Sequence, residues 1–152
     1  MAYEIKLMDL PDQPTLMLRE THAVEELPQF FGKAYGSIMQ YLGEIGQYPS
    51  GMPFAAYHNL DMQHLDVEAG FPVTSNLPGR GEIKASQIPA GKFISTIHEG
   101  SYDSVKQAHN TLIEWAKQNG YEPTGIAYEY YLNDPSEKPG TIPLTEIRLA
   151  IK

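Results

Sequence analysis

The chain of 152 residues contains no cysteine. Disulfide staples, thiolate catalysis and cysteine-based zinc sites are therefore excluded. Basic residues are scarce: 11 Lys+Arg stand against 19 Asp+Glu, a formal net charge of −8. Phosphate recognition rests on basic patches, so direct nucleic-acid binding is not expected. No apolar run approaches membrane-spanning length. The opening residues Met1-Ala-Tyr-Glu-Ile-Lys-Leu-Met-Asp9 alternate like a strand and lack the basic-then-apolar layout of a signal peptide. These absences point to a cytoplasmic protein without a membrane partner. His22, His58, His64, His98 and His109 show no metal-ligand spacing on a shared helix or strand face. Nucleophile elbow, phosphate loop and dinucleotide fingerprint are missing too, so neither metal nor cofactor is expected.

What is present describes a single globular domain over residues 1–152, with 41% hydrophobic and 20% charged residues. The pattern runs strand, helix, strand, strand, and then repeats. Strand-like runs at Pro14–Arg19 and Gly91–Ile97 each lead through cap chemistry into a long helical pattern. The first helix is predicted from about Glu25 to Gln47, with Phe31, Tyr35, Ile38, Leu42 and Ile45 at helical spacing. The second is predicted from about Tyr102 to Asn119, with Val105, Ala108, Leu112 and Trp115 on one face. Phe54–Asn59 answers Tyr128–Asn133, and Leu65–Ala69 answers Thr145–Leu149. Residues 74–90 read as connector between repeat units of about 1–73 and 80–152. The expected fold is α+β. Two pseudo-twofold strand-helix-strand-strand units would form one mostly antiparallel sheet, with both helices on one face and a concave ligand pocket on the other.

Glu129 stands out within Ala127-Tyr-Glu-Tyr-Tyr-Leu-Asn-Asp134. A carboxylate in an aromatic strand is costly to desolvate unless something pairs with it. Positions that break a local rule are where functional sites tend to lie. Alternation puts Glu129 and Tyr131 on one face of the strand and Tyr128 and Tyr130 on the other. It also puts Ile147, Leu149 and Ile151 under the helices and leaves Glu146 and Arg148 opposite. If Glu129 and Glu146 both face away from the helices, the repeat sets Tyr57 opposite Tyr131 and Asp66 opposite Glu146. Two acids and several tyrosines would then share one hollow. The bland alternatives are a solvent-facing Glu129, a Glu129 paired with Arg148 or Lys92, and a surface Glu146–Arg148 pair.

Three stretches resemble the GyrI-like effector-binding domain, the small-molecule module of multidrug-sensing regulators of the AraC and MerR types. They are Glu129-x-Tyr-Leu-x-Asp-Pro135, Leu144-Thr-Glu-Ile147 and His98-Glu-Gly-Ser-Tyr102, and the likeness extends over nearly the whole chain. It implies the doubled strand-helix-strand-strand fold and a buried glutamate in the penultimate strand that binds bulky cationic, aromatic ligands among tyrosines. Carried over, that residue is Glu129, with Glu146 as a second acidic contact. Family members that regulate transcription add a helix-turn-helix domain, for which this chain has no room, so a stand-alone binder is implied. The closing Leu149-Ala-Ile151 replaces a proline of many relatives without touching the site.

The expected function is binding of hydrophobic, cationic small molecules, with Glu129 supplying charge and Tyr57, Tyr131 and Glu146 shaping the wall. Trp115 lies on the apolar stripe of its helix, and Tyr35 and Met39 lie one helical turn apart; all three are core by default and candidate lining residues. Gly32, Gly36 and Gly43 fall on roughly one stripe of the first helix and suggest a close approach there. Two other classes stay open. A hydrolase would use Glu129 as general base and needs a raised carboxyl pKa and a positioned electrophile. A gyrase-inhibitor-like interaction module needs a protein partner and an exposed apolar patch. The sequence displays neither requirement, and the balance leans away from an enzyme.

Overall fold

The computed structural model describes residues 3–133, 138 and 140–152; the Asp134-Pro135 end of the first motif lies outside them. The chain is α+β, as expected, and it folds as two compact units. One unit is Pro11–Ala90, and the other is Met1–Leu10 with Gly91–Lys152.

In the second of these, β1 (Lys6–Leu10), β6 (Gly91–Glu99), β8 (Leu144–Ile151) and β7 (Pro123–Tyr131) pair in that order, all antiparallel. Helix α2 (Val105–Gln118), entered through a 3-10 turn at Tyr102–Ser104, packs on β6 and β8. The other unit orders β5 (Lys84–Ile88), β2 (Gln13–His22), β4 (Leu65–Pro72) and β3 (Phe54–Tyr57) in the same way. Its helix α1 (Leu27–Glu44) packs on β4 and β2. The edge strands are exchanged: β1 precedes β2 in sequence but pairs with β6, while β5 precedes β6 but pairs with β2. Strand β5 falls inside the expected connector. Its sequence Lys-Ala-Ser-Gln-Ile carries little strand signal, and pairing with β2 makes it a strand.

Local chemistry repeats between the units. Ala34, Ile38 and Leu42 of α1 and Ala108, Leu112 and Ala116 of α2 share one spacing and are fully buried. Both helices stop by the same device. Gly46 and Gly120 adopt φ of 69° and 77°, and the next residue's N–H returns to a helical carbonyl: Gln47 to Leu42 and Tyr121 to Ala116. At the strand ends, Asn59 donates to His64 O and accepts from Asp66 N, while Asn133 donates to Ile142 O and accepts from Leu144 N.

The glycine stripe of α1 does not serve close packing. Among the described residues, a Cβ built at Gly32, Gly36 or Gly43 meets no atom within 4 Å beyond the adjoining backbone of its own helix. Glycine in a helix interior costs about 0.5–1 kcal/mol relative to alanine. Gly36→Ala is therefore expected to stabilise the protein by roughly that amount, raising Tm by about 1–4 °C; a lower Tm on thermal denaturation would show that the position needs glycine.

Candidate functional site

Strand pairing sets the faces of the second unit. Ala127 stands opposite Leu149, Glu129 opposite Ile147, and Tyr130 opposite Glu146. Directly opposed residues of an antiparallel pair project from the same face. Ala127, Ile147, Leu149 and Ile151 form the apolar cluster with Ile94 and with Ala108, Leu112 and Ala116 of α2. Glu129 is thus on the helix side of its sheet, and Glu146 is on the reverse. The expectation that both acids look away from the helices into one hollow is corrected. Each strand's alternation was legible, but which face of β7 matches which face of β8 depends on their register.

Glu129 is 8% exposed. Its partner is neither Arg148 nor Lys92 but His109, whose Nε2 lies 2.8 Å from Oε2. A carboxylate only accepts, so Nε2 carries the proton in this contact. The Tyr131 hydroxyl donates to the other oxygen, Oε1, at 3.1 Å. The Tyr131 ring meets Tyr102 edge-on, with centroids 5.9 Å apart. Both oxygens thus gain a donor, which offsets part of the desolvation cost of burying the group.

The other acid is differently arranged. Glu146 accepts from Arg148 Nε at 2.7 Å and from Ser95 Oγ at 2.9 Å. The Arg148 guanidinium lies 4.2 Å from the Tyr130 ring centroid. Residues 146 and 148 share a face because strand side chains alternate, so this pair forms within one strand. Burial pushes the Tyr130 hydroxyl above the ordinary phenol value; Arg148 opposes that shift and Glu146 reinforces it. Glu146 is a carboxylate already holding a permanent cation.

Trp115 is half-buried, packs against the core cluster and stacks on Tyr121 at 5.8 Å with ring planes 7° apart. It also lines an open groove with Ile5, Asn110, Thr111, Glu114 and Gln118, a set that omits Glu129.

Tyr57, Tyr35 and Met39 belong to the Pro11–Ala90 unit. Tyr35 donates to Phe54 O at 2.8 Å and packs against Phe31 and Phe71. Met39 is exposed, and Tyr57 is half-buried opposite Val67. Asp66 is not the counterpart of Glu146. Ala56 opposes Glu68 as Tyr130 opposes Glu146, so Glu68 holds that place, with His58 Nε2 2.6 Å from its Oε1. Asp66 instead takes both oxygens to Arg19, which holds its carboxyl below the usual range. Matching the last strands by residue type slips the repeat by two positions, a displacement that preserves alternation and so leaves no trace in the pattern.

Sequence reasoning missed His109. A signal existed: four residues after Val105 and three before Leu112, it falls on the apolar stripe of α2. A polar side chain on that stripe needs a buried partner, and Glu129 is that partner.

The site and fold define a class, α+β proteins built on a doubled strand-helix-strand-strand plan with a buried carboxylate facing a helix. The chain belongs to the GyrI-like small molecule binding domain family, whose model matches residues 3–152. No curated protein matches it in sequence. In the EcmrR–DNA complex, the EcmrR chain is 25% identical with TM-score 0.84, covering 99% of this chain, which spans 57% of that one. The EcmrR C-terminal domain gives 24% identity and TM-score 0.77, with 100% of this chain and 99% of that one covered. SAV2435, solved bound to tetraphenylphosphonium, shares the fold at 12% identity and TM-score 0.67, covering 100% of this chain and 94% of that one. Among the described residues no helix is long and apolar enough to cross a membrane, and none form a cluster of metal-binding side chains.

Proposed function

We propose that this protein binds hydrophobic monovalent cations against Glu129, as the effector-binding part of a regulatory system. The observation that carries this reading is the contrast between two carboxylates on adjoining strands. Glu146 is neutralised by Arg148. Glu129 is buried, yet receives an imidazole N–H and a phenol O–H. A phenol donor satisfies an oxygen without cancelling its charge, as does an imidazole in its neutral form, so the carboxylate remains able to attract a cation in a medium of low polarity. Tyrosine faces beside it add about 0.5–2 kcal/mol each where a cation can reach them. Tyr131 and Tyr102 are the tyrosines placed for this by the Glu129–Tyr131–Tyr102 contacts.

The regulatory part of the reading draws on EcmrR, which is solved in complex with DNA. The net charge of −8 supports a sensor that does not hold DNA itself. SAV2435 suggests the probe, since tetraphenylphosphonium is a delocalised, lipophilic monocation.

A ligand that binds only the folded state raises apparent stability with its concentration. Tetraphenylphosphonium is expected to raise Tm in a thermal-shift titration by more than neutral triphenylphosphine oxide does. Glu146→Gln should leave that shift within about 1 °C of wild type, because Arg148 already occupies the carboxylate. Equal shifts from the cation and the neutral compound would remove the role of charge. A shift abolished by Glu146→Gln would move the cation site to the reverse face of the sheet.

A further inference from the structure

We propose that His109 is the specificity-determining residue of this site: it sets the net charge that Glu129 presents to a ligand. The inference rests on reading Glu129 as the cation receptor and adds the identity of the group that tunes it. Among the described residues, part-buried carboxylates that meet a nitrogen donor include Glu146 with Arg148, Glu68 with His58, Glu20 with His22 and Lys33, and Glu129 with His109. The guanidinium of Arg148 is always cationic, so its pair is permanently neutral. An imidazole can donate the same hydrogen bond while neutral, or while charged. With a neutral His109 the pair carries −1; with a cationic one it carries nothing, and the incoming cation finds no counter-charge.

The described residues around His109 place Glu129 in direct contact with it. From β7 it faces Glu129, and the Tyr131 hydroxyl sits on the far oxygen of that carboxylate. The turn before α2 contributes Tyr102, which meets the Tyr131 ring. Beneath α2, strands β6 and β8 contribute Ile94, Ile147, Leu149 and Ile151, all apolar. On its own helix the nearest charge is Lys106, three residues earlier and exposed. His109 is thus the group in contact with the carboxylate that can either spare or cancel its charge. A delocalised monocation is the ligand matched to the −1 form.

Lysine and glutamine at position 109 separate charge from hydrogen bonding. Both favour helices, both carry an N–H donor, and only lysine is cationic. His109→Lys should weaken tetraphenylphosphonium at least about tenfold by calorimetry, the loss of one favourable charge contact. His109→Gln should stay within about threefold of wild type. Triphenylphosphine oxide should bind both variants and wild type alike.

If His109→Lys binds the cation as well as wild type, or His109→Gln loses as much as His109→Lys, charge-setting by His109 is overturned. Nitrogen-15 NMR of wild type saturated with tetraphenylphosphonium gives a check that does not depend on a variant folding. A neutral imidazole with the proton on Nε2 is expected, and an imidazolium in the complex overturns the proposal. Glu129→Gln run in parallel separates the two layers. If it leaves cation binding intact, the underlying site reading falls; if it weakens binding while His109→Lys does not, only the role of His109 falls.

Discussion

Glu129→Gln is expected to weaken tetraphenylphosphonium about 10- to 100-fold while triphenylphosphine oxide stays within about twofold. This range corresponds to about 1.4–2.8 kcal/mol, within the span measured for charge-assisted contacts in partly desolvated sites. The substitution preserves shape, so apolar contacts survive and only the charge goes. Its structural cost should be small. The amide oxygen can still accept from His109 or Tyr131, whose donors now reach the two oxygens. The new amide N–H would face the other group, and a phenol oxygen or the alternative imidazole tautomer can accept it. Calorimetry with both compounds decides the matter. Equal losses would mean a packing defect, and no loss would place the cation elsewhere. The same variant addresses the hydrolytic alternative, in which the carboxylate acts as general base toward water: turnover lost with binding retained would favour catalysis.

Leu112→Ala should destabilise the fold by about 3 kcal/mol, within the range of 2–5 kcal/mol typical for such truncations. Leu112 is fully buried among Ile94, Ala108, Ala116, Ile147 and Leu149. Small alanines at 108 and 116 let α2 lie close to its sheet, so Leu112 fills the centre and a cavity there cannot close easily. For a domain of this length the loss corresponds to a Tm lower by about 6–12 °C. Chemical denaturation with an unchanged slope and a lower midpoint would confirm a loss of stability alone. A cost under about 1 kcal/mol would mean that α2 re-seats itself. His109 lies less than one turn from Leu112, so that re-seating would be visible as weaker cation binding.

Much of the fold was legible because binary pattern and turn chemistry act locally. The stripes of α1 and α2 and the alternation of β8 appear in the order of residues, whereas α1 ends at Glu44, short of the expected Gln47. Strand β5 was hidden because Lys84–Ile88 has little intrinsic strand preference and gains its conformation from β2. The glycines of α1 misled for a related reason: a stripe of small residues is equally compatible with close packing and with open space, and here it is open. In the site, Glu129 announced itself by breaking a rule of composition. Its partner His109 did not, because twenty residues of chain separate two groups that lie 2.8 Å apart.

The sequence by itself determined the composition of the units, the face to which each side chain of a strand belongs, and the presence of one unusual carboxylate among tyrosines. Those properties follow from neighbours along the chain, within a turn of helix or two residues of strand. The tertiary structure alone decided that Glu129 and Glu146 occupy opposite faces and that His109 meets the first. These outcomes depend on strand register and on the seating of α2, which are set by the packing of residues far apart in sequence. A shift of one residue between β7 and β8 would put both acids on one side, yet it would also lift Ala127 away from Leu149 and Ile151 and out of the apolar core. The burial of that core, rather than any property of the acids, separates them.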